Sequence, residues 1–229
     1  MSMPWILKIL RGLCGCYKKE VSMESRRKMK KVNCDEESPR SILPRKYDPK
    51  PTLVLDLDNT LVHSTFEMPE FYDFCVEVPR SRDMPIYVKV RPHATEFING
   101  VGDIYEVIIF TAAKKEYARK VIDMIDMNKN IKYSLYRESC TLTNGRYVKD
   151  LCRLGRPLHK VILVDDSPHS YEFQPGNGIH IPPYTGALDD DSLLKVMKYL
   201  KGLPRDDLFR NTHQTPFRGG LMTELKHHD

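Results

Sequence analysis

Asp56 and Asp58 stand one residue apart, directly after the apolar run Leu53-Val54-Leu55. Two carboxylates at the end of a buried strand are costly unless something pairs or uses them. The spacing suits an aspartate nucleophile with a second aspartate beside it as acid and base. It equally suits a turn-forming or helix-capping Asp pair, and these residues alone leave both readings open. Two further apolar runs end on polar groups in the same way. Residues 104–110 lead into Thr111, and residues 161–164 lead into Asp165 and Asp166. The three runs are short, rich in Val, Ile and Leu and largely without alternation, which is the pattern of strands buried on both faces of a parallel sheet. Open parallel sheets bind ligands beyond the carboxyl ends of their strands. Asp56, Asp58, Thr111, Asp165 and Asp166 are therefore expected in one crevice. Four carboxylates so confined repel each other, and a hard divalent cation with oxygen ligands, Mg²⁺, is the simplest remedy. If a phosphate binds there as well, a lysine belongs beside it, and Lys149 is the candidate.

The elements that must position these groups follow from periodicity. Residues 94–101 and 114–125 read as helices; in the second, Tyr117, Val121, Ile122 and Ile125 recur at helical spacing. Residues 192–200 read as a closing helix after the acidic turn Asp189-Asp190-Asp191. Residues 74–78 and 86–90 alternate around a short polar loop and read as a hairpin. Asn144-Gly145 is a strong hairpin-turn signal. It joins residues 141–143 to residues 146–148 and so presents Lys149.

Four segments then carry a resemblance. They are DLDNT-LVHS from Asp56, FTAA from Phe110, YRESC from Tyr136 with NGRYVKDL from Asn144, and VDDSP from Val164. In this order and spacing they resemble the haloacid-dehalogenase superfamily. More narrowly they resemble the small phosphatases acting on the carboxy-terminal domain of RNA polymerase II, and their relative Dullard. The resemblance covers residues 46–218 and implies an α/β fold: a Rossmann-like parallel sheet flanked by helices, with small β-hairpin insertions and no large cap domain. It implies a phosphatase domain over residues 47–218, an extension and linker over 1–46 and a tail over 219–229. By the same resemblance, Asp56 is the nucleophile that forms an aspartyl-phosphate, and Asp58 is the acid and base. Thr111 and Lys149 hold phosphoryl oxygens. Mg²⁺ is bound by Asp56, the Asp58 carbonyl and Asp165, with Asp166 beside it. Arg137 supports substrate binding. Phe66 and Tyr117 either wall an aromatic pocket for a proline near the phosphoserine or simply pack. The implied partner is a phosphoprotein, such as the polymerase C-terminal domain or another Ser-Pro segment. Two residues depart from the pattern: Asn59 stands where the family usually has Glu, and Asp166 where the small phosphatases usually have Asn. The first position is expected to point away from the phosphate; the second is expected to alter metal affinity or the pH profile without abolishing activity. The missing cap favours protein substrates over small metabolites, which are usually enclosed by a lid. Loss of either Asp56 or Asp58 would have argued for a non-catalytic binding module; both are present.

The chain has 229 residues and a net charge of +5. Residues 1–34 hold nine Lys or Arg and two Glu. The remaining chain is slightly acidic, so the overall charge does not point to nucleic-acid binding. Six cysteines show neither CxxC spacing nor a Cys/His cluster suited to zinc, and the three within the domain are scattered singly, as in a reduced intracellular protein. Residues 3–13 mix apolar residues with Lys8 and Arg11, too short and too charged to span a bilayer. With Cys14, Cys16 and the basic run after Lys18, the stretch fits peripheral membrane attachment through an amphipathic helix and acylation. The run from Arg26 to Lys31 fits nuclear import equally, and a tail without a targeting role is the third reading. The expected location is the nucleus or the cytoplasmic face of a membrane.

Overall fold

The computed structural model describes residues 41–78 and 84–204. Three runs of apolar residues form its central strands: β1 (Thr52–Leu55), β5 (Glu106–Phe110) and β9 (Val161–Asp165). Every residue in them is buried. β1 pairs in parallel with both β5 and β9. Two half-buried strands extend the sheet, β6 (Ile131–Leu135) beside β5 and β10 (Gly178–His180) beside β9, giving the order β10-β9-β1-β5-β6. Alternate side chains of a strand face opposite sides, and two core clusters result. Leu53, Leu55, Val107, Ile109, Ile162 and Val164 lie in one, with the helices α1 (Ala94–Gly102), α2 (Lys115–Ile125) and α3 (Ser192–Lys201). Val54, Ile108, Phe110, Val161 and Leu163 lie in the other, under Leu43, Leu151, Leu154 and Tyr171.

The three helices and both hairpins match their predicted positions within about two residues. The first hairpin is larger than expected. β3 (Phe74–Val76) pairs with β4 (Ile86–Val90), and β2 (Val62–Thr65) joins β4 from the other side, making a three-stranded antiparallel sheet. In the second hairpin β7 (Thr141–Thr143) pairs with β8 (Arg146–Val148). Its turn residues Asn144 and Gly145 have φ of 51° and 73°, the left-handed pair that a two-residue hairpin of this twist needs. No segment among the described residues forms a large cap over the sheet.

One expectation needs correction. Residues 41–46, read as part of a linker, are docked on the domain. The Ile42 amide donates to the Arg153 carbonyl, Leu43 is buried, and Arg156 donates to the Pro44 carbonyl. Lys46 pairs with Glu106 at 3.1 Å. Pro and charged residues suggested a linker; the apolar pair Ile42-Leu43 outweighs them by covering one sheet face. The expected membrane or import segments, the last residues of the expected phosphatase domain and the 219–229 tail lie outside the described residues.

Candidate active site

Asp56 extends β1 by one residue, its amide donating to the Val164 carbonyl of β9 at 3.0 Å. The chain then turns sharply, with the amides of Leu61 and Val62 both donating to the Leu57 carbonyl. Asn59 sits in this turn at φ 58°, a left-handed conformation that Asn tolerates better than most residues. Its Oδ1 lies 3.2 Å from His63 Nδ1. Tyr184 donates its amide to the Asn59 carbonyl, and Arg91 donates to the Thr60 carbonyl. The loop is thus pinned from outside while Asp56 and Asp58 face inward. β9 ends on Asp165, whose Oδ1 accepts from the Ser167 amide. β8 ends beside Lys149, whose amide donates to the Ser170 carbonyl.

Three separate elements therefore meet in a buried ion cluster. Lys149 Nζ lies 2.6 Å from Asp56 Oδ1 and 2.5 Å from Asp165 Oδ2. Burial opposes the lysine charge, but Asp165 and Asp56 outweigh it and push its pKa up, so the ammonium stays protonated. Asp56, Asp165 and Asp166 each offer an oxygen within 4.8 Å of the others. Burial raises the Asp56 carboxyl well above its ordinary value; Lys149 opposes this, and Asp165 and Asp166 add to it. Burial and then the Asp165 charge push Asp166 up to about 7. Three carboxylates share one ammonium, so the cluster needs either bound protons or a second cation. Asp166 Oδ1 is buried and without a hydrogen-bond partner. That orphaned oxygen and the all-carboxylate donor set fit a hard cation such as Mg²⁺.

Asp58 stands apart from that group. Its Oδ1 accepts a 2.7 Å hydrogen bond from the Tyr117 hydroxyl. Burial pushes its carboxyl up to about 6, against the lowering effects of Tyr117, Lys149 and Arg137. Thr111 follows β5 and is buried, its Oγ1 accepting from the Ala113 amide at 2.9 Å. Arg137 Nε donates to the Ala112 carbonyl, and its guanidinium lies 5.0 Å from the Tyr147 ring centre. It thereby ties the loop after β5 to the hairpin that carries Lys149. Phe66 is half-buried against the core. Tyr117 is only 2% exposed, so it presents a hydroxyl to Asp58 and not an open aromatic wall. Cys140 is a free thiol whose burial raises its pKa to about 11, far from a reactive thiolate.

The sequence reading missed the roles of Ser64, which contacts the Tyr117 hydroxyl, and of Arg91. Ser64 belongs to the LVHS segment but has no chemistry of its own to mark it. Arg91 carries no local signal at all, because its partners lie far along the chain.

An aspartate pair, a buried lysine and a second carboxylate pair thus meet beyond the carboxyl ends of a parallel α/β sheet. The chain belongs to the NLI interacting factor-like phosphatase family, whose profile matches residues 51–210. It is 41% identical over 167 residues to the human "CTD small phosphatase-like protein", covering 72% of this chain and 60% of that one. It is 44% identical over 153 residues to the "Probable C-terminal domain small phosphatase" of Dictyostelium discoideum, covering 66% and 50%. The chain thus spans between half and two thirds of the length of these relatives. Among solved structures it resembles the fission yeast RNA polymerase II CTD phosphatase Fcp1 in a variant bound to beryllium fluoride. That match has a TM-score of 0.50 and 23% identity over 66% of this chain and 50% of that one. It establishes the fold, in line with the capless haloacid-dehalogenase-like sheet expected from the sequence.

Proposed function

We propose that the chain is a Mg²⁺-dependent protein serine/threonine phosphatase that works through an aspartyl-phosphate on Asp56. The observation that carries this reading is the buried Asp56–Lys149–Asp165 cluster beside an independently held Asp58. Asp56 attacks phosphorus, and the bond from phosphorus to the serine oxygen breaks. The electron pair of that bond goes to the serine oxygen, which takes the proton of Asp58. Asp58, now a carboxylate, removes a proton from water as the water oxygen attacks the Asp56-bound phosphorus. The Asp56–phosphorus bond breaks, its electrons return to Asp56, and inorganic phosphate leaves. Splitting one difficult displacement into two is the benefit of the covalent step. An Asp58 carboxyl held near 6 suits both duties, because a catalytic group works best with its pKa near the working pH. Lys149 and the Thr111 hydroxyl would meet the phosphoryl oxygens, where charge placed in advance is most valuable. Asp56, the Asp58 carbonyl, Asp165 and Asp166 would hold Mg²⁺, which neutralises phosphate charge so that one anion can attack another.

The substrate class we propose is phosphoserine in Ser-Pro protein segments resembling the polymerase C-terminal domain. The family relationship and an uncapped site support it. Arg137 and Phe66 at the rim are the candidate contacts. Hydrolysis of a phosphoserine-proline peptide, followed by phosphate release, tests the reading. Wild-type protein should turn over only with Mg²⁺, and Asp56→Asn should lose essentially all activity while keeping its thermal midpoint. Near-normal turnover by Asp56→Asn would remove the nucleophile assignment.

A further inference from the structure

The Tyr117 hydroxyl is the feature that the fold alone does not require. Tyr117 lies in the first turn of α2, and the other buried residues of that helix, Ala118, Val121, Ile122 and Ile125, are apolar. A phenylalanine would fill the same space. The hydroxyl reaches out of the core to donate to Asp58 Oδ1 at 2.7 Å. It also contacts Ser64 Oγ on β2. A phenol has one proton. Since Tyr117 gives it to Asp58, Ser64 must be the donor in the second contact. A directed chain therefore runs from Ser64 through Tyr117 to Asp58, joining β2, α2 and the loop after β1.

From this geometry we infer that Tyr117 is a positioning residue that fixes which oxygen of Asp58 meets the leaving group. The inference rests on the phosphatase reading above. Oδ1 is occupied by the phenol, so Oδ2 is the oxygen left to carry the proton toward the serine oxygen. Holding Oδ1 also locks the side-chain torsions of Asp58, and placement within a fraction of an ångström matters for proton transfer. The same bond becomes charge-assisted as Asp58 gives up its proton, because its acceptor turns from a carboxylic acid into a carboxylate. An interaction that strengthens on the way to the transition state acts on kcat and not on KM. Ser64 supports the arrangement by orienting the phenol.

The test uses the full chain with Mg²⁺, as wild type, Tyr117→Phe and Ser64→Ala. Two substrates are compared: a phosphoserine peptide, whose alkoxide leaving group needs a proton, and p-nitrophenyl phosphate, whose phenolate leaves without one. The ratio kcat/KM is read because it ends at phosphoryl transfer, before the hydrolysis step common to both substrates. Tyr117→Phe should lower kcat/KM on the peptide about tenfold or more, a fraction of the total usually credited to general acid catalysis. In a single turnover the loss should lie in the phosphoryl-transfer rate and not in peptide binding, and the kcat/KM loss on the aryl phosphate should be several times smaller. Ser64→Ala should shift the same ratio less. It carries the test alone if the thermal midpoint shows that Tyr117→Phe does not fold. Equal losses on both substrates, or no loss on the peptide, would overturn the inference. In single-turnover measurements, an unchanged phosphoryl-transfer rate with weaker peptide binding would overturn it too and make Tyr117 a substrate contact. A wild-type protein inactive on both substrates would instead overturn the phosphatase reading itself.

Discussion

Asp58 sets stability against chemistry. Its carboxyl is buried and its pKa is raised from 3.8 to about 6 by that burial. A carboxyl raised on folding contributes stability that is complete below the unfolded value, and that contribution is lost as pH rises through the folded value. The relevant window runs from about pH 4 to pH 6, and at neutral pH the ionised group costs the fold on the order of 3 kcal/mol relative to its protonated form. Asp58→Asn removes that cost, and the amide oxygen can still accept from Tyr117. We expect the variant's thermal midpoint at pH 7.5 to rise by several degrees, and its advantage over wild type to shrink toward pH 4, while turnover collapses. Calorimetry across this pH range checks it; a midpoint at pH 7.5 equal to or below that of wild type would contradict it. Sequence could place Asp58 because three buried runs end on polar groups, which a lone turn-forming or capping Asp pair does not account for. It could not orient Asp58, because the hydroxyl that does so is 59 residues away.

The loop after β1 is held by an element that no sequence pattern marked. Arg91 follows β4, is 1% exposed, and makes paired hydrogen bonds to Asp190 at 2.8 Å from Nε and Nη2. Its Nη1 and Nη2 also donate to the carbonyls of Thr60 and Pro182, and its guanidinium lies 5.5 Å from the Tyr184 ring centre. One planar fork thus ties the catalytic loop to the segments before α3. Arg91→Met removes this donor from both carbonyls and leaves Asp190 only its bonds from Ser192, so we expect a loss of about 2–4 kcal/mol in urea denaturation and a fall in kcat as residues 59–61 loosen. Arg91→Lys should recover little, since an ammonium cannot make the same paired geometry. Full stability in Arg91→Met would show that the clamp contributes nothing net. The same distinction separates the elements that were legible from those that were not. β1, β5 and β9 were readable because all their residues are buried. β6 (IKYSL) and β10 (GIH) lie at sheet edges, half-buried and mixed in polarity, and take their strand form from the neighbour they pair with. β2 was hidden for another reason: its VHST sequence directly follows the catalytic turn and reads as a continuation of the loop.

At the scale of the whole molecule the sheet is covered unequally. α1, α2 and α3 protect one face, whereas the other relies on short 3-10 turns, including Leu151–Leu154 and Pro168–Tyr171, and on the segment beginning at residue 41. Leu43 is 7% exposed and closes that second cluster. Lys46 adds a cation to Glu106, which also takes paired hydrogen bonds from Arg156 at 2.9 Å. These bonds, together with one from Thr52, outweigh burial and hold the Glu106 carboxyl down at about 2. The domain that can stand alone should therefore begin before residue 47, and two truncations separate the contribution of residues 1–34 from that of residues 41–46. Deleting residues 1–34 should leave the thermal midpoint and the kcat/KM on a soluble phosphopeptide unchanged. If the apolar and basic tail attaches the protein to membranes, one of the three readings its sequence allows, the same deletion should move it to the soluble fraction. Deleting residues 1–46 removes Leu43, the Ile42 and Pro44 hydrogen bonds and Lys46. Burying one leucine contributes about 1.5–3 kcal/mol, so with the lost bonds the cost should be about 2–4 kcal/mol, or a midpoint lower by about 5–15 °C. Glu106 keeps Arg156 and Thr52 in that truncation, and the catalytic cluster lies at the opposite ends of the strands, so activity at low temperature should survive. Equal midpoints for the two truncations would show that residues 41–46 only rest on the surface; a drop already present on deleting 1–34 would place the stabilising contacts further upstream.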